Sequence, residues 1–125
     1  MPRKVLLSIK PVYADQIFNG TKLYEFRRVV FKNPDIKTVV VYASTPVQMV
    51  IGEFDVDEII TMQKDKLWKL TKPHAGIDKA GYDAYFMDKE LATALKVKKV
   101  KKYRKPLCLK KDFMINHPPQ SFIYL

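Results

Sequence analysis

Residues 19–28 read NGTKLYEFRR, and this stretch constrains the chain more than any other. Asn19–Gly20 is a helix-stopping pair, because glycine takes the left-handed backbone that ends a helix without steric penalty. Residues 21–28 then set Lys22, Glu25, Arg27 and Arg28 between large apolar side chains. On a strand over 22–30, Tyr24, Phe26 and Arg28 share one face, while Leu23, Glu25, Arg27 and Val29 share the other. Neither face is cleanly apolar. A strand with one side in a core and the other lining a wet cleft has this composition. Folding alone does not require so much charge between bulky groups.

The flanking segments give this stretch a setting. Residues 3–9, RKVLLSI, predict a strand. Pro11 suits the first turn of a helix, where its missing N–H is not needed. Ala14, Ile17 and Phe18 recur at helical spacing, so a helix over 11–19 is expected, ended by a left-handed Gly20. Asn33–Pro34–Asp35 marks a turn, 36–43 (IKTVVVYA) a central strand, and 47–54 (VQMVIGEF) another, extendable to residue 60. Gly52 inside that pattern points to a bulge or a close backbone approach. A helix over 63–71 stops near Pro73, and Asp78 caps a second that runs to about Met87 with Tyr82, Tyr85 and Phe86 facing inward. In 91–103 the apolar positions Leu95, Val97, Val100 and Tyr103 slip out of strand period twice, which predicts a bulged or bent strand, with helix as the rival. Residues 104–112 continue it, and Phe122–Leu125 form a closing strand. Five or six short strands with two or three helices suggest a small mixed β-barrel, with an open α+β sheet as the alternative.

At 125 residues the chain fits one domain, 1–125, able to build a core without metals or disulfides. The lone Cys108 cannot form an internal bridge and sits between leucines as a core residue. With no apolar run long enough for a leader or a membrane span, a reducing, cytoplasmic setting and no membrane partner are expected. The net charge of +10 points to an anionic partner, most simply a nucleic acid. It is unevenly placed: residues 91–125 carry nine Lys or Arg against Asp112 alone.

Lys22, Glu25 and Arg27 are the first candidates for chemistry. Opposite charges on both sides would keep Glu25 ionised. Arg27 could grip a phosphate or base edge with its rigid fork, and Glu25 could orient it or accept from a base amine. Lys22 could contact phosphate or, if desolvated, act as a base. The plain alternative is a surface salt-bridge ladder. Lys98, Lys99, Lys101, Lys102, Arg104 and Lys105 form a basic run suited to backbone phosphates, although lysines also protect strand edges from aggregation. Tyr42 and Trp68 are the aromatics best placed to stack on bases. Glu53, Asp55, Asp57 and Glu58 match no calcium loop and read as a solvated face. His74 and His117 are isolated, so neither a metal nor another cofactor is expected.

NGTKLYEFRR resembles the G-x-K-x-x-E-x-R signature of the ASCH domains, a branch of the PUA-like β-barrels. The likeness extends through LLSIKPVYADQIFNG, VVVYASTPVQMVIGEF and PPQSFIYL, nearly the whole chain. It implies a small barrel with a cleft near the first helix, lined by Gly20 as the turn, Lys22, Glu25 and Arg27. It also implies a module that binds RNA or a related nucleic acid. Some members are similar to amidohydrolases that deacylate N4-acetylcytidine with a Lys, a Thr and a Glu. Lys22 matches that Lys, whereas Glu25 stands in the Thr position. Another relative is a ribonuclease. The expectation is therefore an RNA-binding module, with a hydrolase of a modified nucleoside or of RNA, using Lys22 and Glu25, as the alternative.

Overall fold

The computed structural model describes residues 4–125; Arg3, the expected start of the first strand, lies outside them. Strand β1 (Lys4–Ile9) enters helix α1 (Pro11–Phe18) with Pro11 in the first turn, as its fixed φ favours. Gly20 turns the chain at φ +87°, as the Asn-Gly pair predicts. Next come β2 (Tyr24–Arg27), β3 (Thr38–Ala43) and β4 (Met49–Gln63), then α2 (Lys64–Thr71) and a short 3-10 turn (Lys72–His74). Helix α3 (Lys79–Tyr85), β5 (Leu91–Leu107), α4 (Leu109–Phe113) and β6 (Ile123–Tyr124) complete the order. Asp78 caps α3 as expected, its Oδ1 accepting from the Gly81 N–H at 2.8 Å.

The strands form one mixed sheet in the order β2-β5-β4-β3-β1-β6. β1 and β3 run parallel, joined across α1, and the other pairings are antiparallel. Both faces of β1 and β3 are covered, which explains why their sequences are nearly unbroken apolar runs. Val5, Leu7, Ile9, Val39 and Val41 pack against Ala14 and Ile17 of α1. Leu6, Val40 and Tyr42 face the opposite cluster, closed by Leu109 and the C-terminal Ile123 and Leu125. A third cluster joins Phe26, Ala92 and Ala94 to Leu67, Tyr82 and Phe86 of α2 and the α3 region.

The slipped period in β5 is a bulge. Lys99 takes φ +49° between the pairs Phe54–Val100 and Asp55–Lys98. Gly52 is a close approach: an added Cβ would lie 2.6 Å from the Lys101 carbonyl oxygen and 2.6 Å from the Phe18 ring. β5 continues to Leu107, but the expected strand over 104–112 then breaks into α4. Cys108 is half-buried at the N-cap of that helix, its Sγ accepting from the Lys111 N–H at 3.4 Å, and is not a core residue.

The expected PUA-like β-barrel is corrected to an open α+β sheet, with six strands and, in place of two or three helices, four α-helices among the described residues. The ends of the order, β2 and β6, do not pair. A side chain bridges the gap instead. Arg27 of β2 donates from Nη1 to the Ser8 carbonyl of β1 at 3.3 Å and from Nη2 to the Ser121 carbonyl before β6 at 2.8 Å. The candidate site lies along this seam.

Candidate functional site

The seam encloses a cavity of about 590 Å³. Its walls come from Ser8–Lys10 of β1 and the loop after it, Tyr13 of α1, Lys22, Glu25–Arg27 of β2, and Tyr82 and Tyr85 of α3. Lys22 is pulled inward by the turn before it: the Thr21 and Lys22 N–H groups both donate to the Gln16 carbonyl at 3.0 Å. Only 2% of Lys22 is exposed. Its Nζ donates to the Ala75 carbonyl and sits 5.0 Å from the Tyr13 ring centre and 4.9 Å from that of Phe26. The ring faces favour the ammonium. Desolvation is the larger effect and drives its pKa below the usual lysine value, with Glu25 opposing.

Glu25 is 6% exposed. Burial pushes its carboxyl above the usual range, against the pull of Arg27 first and then Lys22. Its cationic neighbours, expected to favour the carboxylate, do pull the pKa down, but withdrawal from water outweighs them and the net shift is upward. Glu25 Oε2 accepts from Arg27 Nη1 at 3.3 Å. The Arg27 Nε–H is buried and has no partner among the described residues. Burial also raises the Tyr85 hydroxyl, which accepts from the Arg28 N–H at 3.2 Å. The cavity thus holds a lysine and a carboxyl both displaced toward neutrality, beside an arginine with a donor to spare.

Comparison with known proteins places the chain in a family. The sequence profile of the ASCH domain matches residues 7–101. The chain belongs to the ASCH domain family. The fold of this ASCH chain superposes on a crystal structure of an ASCH protein from Zymomonas mobilis with a TM-score of 0.90, at 30% identity over 98% of this chain and 87% of that one. An ASCH domain-containing ribonuclease from Zymomonas mobilis is 30% identical over 98% of this chain and 84% of its own length. A segment of the ATP synthase subunit alpha of Ureaplasma parvum is 36% identical over 97% of this chain, which spans only 15% of that protein.

Within this ASCH fold the signature residues take distinct places. Lys22, Glu25 and Arg27 converge on the cavity, and Gly20 forms the turn that precedes them without lining it. Lys98, Lys99, Lys101, Lys102 and Arg104 are exposed on β5, and none lines the cavity. Tyr42, expected as a stacking surface, is 5% exposed within a core cluster, because its strand is covered on both faces. Trp68 packs against Tyr82 with ring centres 4.9 Å apart. Glu53 accepts from the Tyr103 hydroxyl at 2.8 Å and from Lys4 Nζ at 3.4 Å, while Asp57 pairs with Lys96 at 3.6 Å, so these acids are spent on side-chain partners. No helix among the described residues is long and apolar enough to cross a membrane. Sequence reasoning missed Tyr13 and the Ala75 and Ser121 carbonyls. The carbonyls leave no residue-type signal, since any residue supplies one.

Proposed function

We propose that this chain is a hydrolase of RNA, with Lys22 and Glu25 at the reacting atoms and Arg27 on the phosphate. The observation that carries it is the buried Lys22–Glu25–Arg27 group on one wall of the seam cavity. Proton transfer is most efficient when catalytic groups titrate near the working pH, and burial moves both Lys22 and Glu25 that way. Neutral Lys22 takes the proton of the 2′-hydroxyl as that oxygen attacks phosphorus. The P–O5′ bond breaks, leaving a 2′,3′-cyclic phosphate that a water then opens, and the Glu25 carboxyl supplies a proton to the departing 5′-oxygen. Arg27, held by the Ser8 and Ser121 carbonyls, neutralises the charge on the non-bridging oxygens. An ASCH domain-containing ribonuclease from Zymomonas mobilis, 30% identical over 98% of this chain, supports reading the substrate as RNA. The exposed lysines of β5 would draw the polyanion to the protein without contributing to the chemistry.

A second reading is deacylation of N4-acetylcytidine. It is favoured by a cavity in the range of small-molecule sites (about 300–1,000 Å³ in general) that excludes the lysine run. One experiment separates them: incubation with a short RNA and, separately, with N4-acetylcytidine, with mass analysis of the products. Shortened RNA that is absent with Lys22→Met supports the proposal. Intact RNA with released acetate favours the second reading, and no product from either overturns both.

A further inference from the structure

A second cavity of about 370 Å³ adjoins the first. The two share Arg27, Tyr85 and Gln120 as a common wall. The second is lined in addition by Arg28, Val29, Lys89 and Ser121, and none of its described lining residues carries a carboxylate. Local structure explains the gathering of three cations. On a continuing strand, Arg27 and Arg28 would point to opposite sides. β2 ends at Arg27, however, and the chain bends over residues 28–29, so both side chains border one hollow. Lys89 arrives from the other side, beyond the end of α3. There Asp88 takes φ +67° and the Lys89 N–H closes a turn on the Phe86 carbonyl at 3.0 Å. Glu25 lines only the first cavity and pairs with Arg27 at 3.3 Å, so Arg28 and Lys89 are the cations of the second that no described carboxylate pairs with.

We propose that the second cavity is a phosphate subsite for the phosphodiester next to the nucleotide held in the first cavity, making the substrate an oligonucleotide and not a free nucleoside. This rests on the assignment of the first cavity to a nucleotide. Arg27 links the arrangement: it lines both spaces, and its buried Nε–H has no partner among the described residues. Arg28 and Lys89 touch only the second space. They are positioning residues that hold one end of the strand while the scissile group lies against Lys22 and Glu25. A free nucleoside offers them nothing. A dinucleotide with its 3′ nucleotide in the first cavity offers them its single phosphodiester, on the side away from the scissile position.

The test measures binding without turnover, so it stands apart from the question of cleavage. The full chain and the Arg28→Gln/Lys89→Gln variant are titrated at low salt with cytidine, with a 2′-O-methyl dinucleotide and with inorganic phosphate. The 2′-O-methyl group removes the internal nucleophile and leaves the phosphodiester. The parent should bind the dinucleotide about tenfold more tightly than cytidine, as expected for two exposed cations on one phosphate. The variant should lose that preference and keep its affinity for cytidine and its melting temperature. Equal affinity of the parent for cytidine and dinucleotide, a preference that survives the double substitution, or no binding of the dinucleotide overturns the subsite. Inorganic phosphate binding as tightly as the dinucleotide overturns it too, by making the second cavity an independent anion site. Failure to cleave RNA while the dinucleotide preference holds would refute the hydrolase and leave the subsite standing.

Discussion

Arg27→Met tests the claim that a side chain, in place of a strand ladder, ties the open sheet together. The substitution keeps the aliphatic stem and removes three charged donations: to the Ser8 carbonyl at 3.3 Å, to the Ser121 carbonyl at 2.8 Å and to Glu25 at 3.3 Å. Hydrogen bonds to charged groups contribute about 1.5–3 kcal/mol each. The two long contacts belong at the low end, and methionine recovers part of the packing. The loss should be about 3–5 kcal/mol, in line with breaking a buried ion pair; the Arg27 and Glu25 side chains are only 11% and 8% exposed. At about 4 °C per kcal/mol for a chain of this size, the melting temperature should fall by about 12–20 °C. The deficit should also depend on pH. Glu25 has a folded-state pKa above its unfolded value, so its contribution to stability is greatest below the unfolded pKa and is lost as pH rises through the folded one. Without Arg27, the leading influence that holds that pKa down, the folded value rises further and the loss deepens. Circular-dichroism melts at pH 7 and pH 4.5 should show the larger deficit at pH 7. A drop of only a few degrees, or equal deficits at the two pH values, would refute the bridging role and the buried pairing together.

The remaining predictions address chemistry and packing. Lys22→Met should lower kcat on RNA by about 10²–10⁴-fold, the usual worth of a general base, with a cooperative melt showing that the fold survives. In the parent, kcat/KM against pH should be bell-shaped, with one limb from the carboxyl raised by burial and one from the lysine lowered by it. Glu25→Gln should abolish the alkaline limb, where the acid is lost, and an unchanged profile would remove Glu25 from the reaction. Replacing Lys98 and Lys99 by Ala should weaken every nucleic acid alike and flatten the dependence of affinity on salt, whereas Arg27→Ala should lose site-specific binding; equal salt slopes in the two would contradict this division. Gly52→Ala forces a Cβ to within 2.6 Å of the Lys101 carbonyl oxygen, so the urea midpoint should fall by the equivalent of about 1–3 kcal/mol, and an unchanged midpoint would count against that close approach.

Local signals carried much of the fold. Pro11 and the Asn19–Gly20 pair bounded α1, Asp78 marked the start of α3, and Gly52 and the slipped period near Lys99 marked departures from regular strand. Gly52 only hinted at contacts that Phe18 and Lys101 make from far along the chain. The helix bounds are decided by backbone sterics or by hydrogen bonds a few residues away, and so are written in adjacent letters. The clustering of Lys22, Glu25 and Arg27 was legible for the same reason, since they share one short turn and strand. Helix α4 was not, because Cys108 at its cap and the left-handed Met114 at its end are both uncommon signals for those positions.

What tertiary structure alone decided depends on register and closure over long separations. Tyr42 is core because α4 and the C-terminal segment cover its face of the sheet, a fact absent from VVVYAS itself. Glu25 is driven toward the neutral acid because the fold takes it out of water, although its neighbours in sequence are cations. Arg27 and Arg28 meet Lys89 because β2 stops where it does and α3 ends opposite. That β2 and β6 end the sheet without pairing is visible only in the assembled order of strands. Residue type sets what a side chain is able to do; the solvent it loses and the distant partners it gains set which of those things it does.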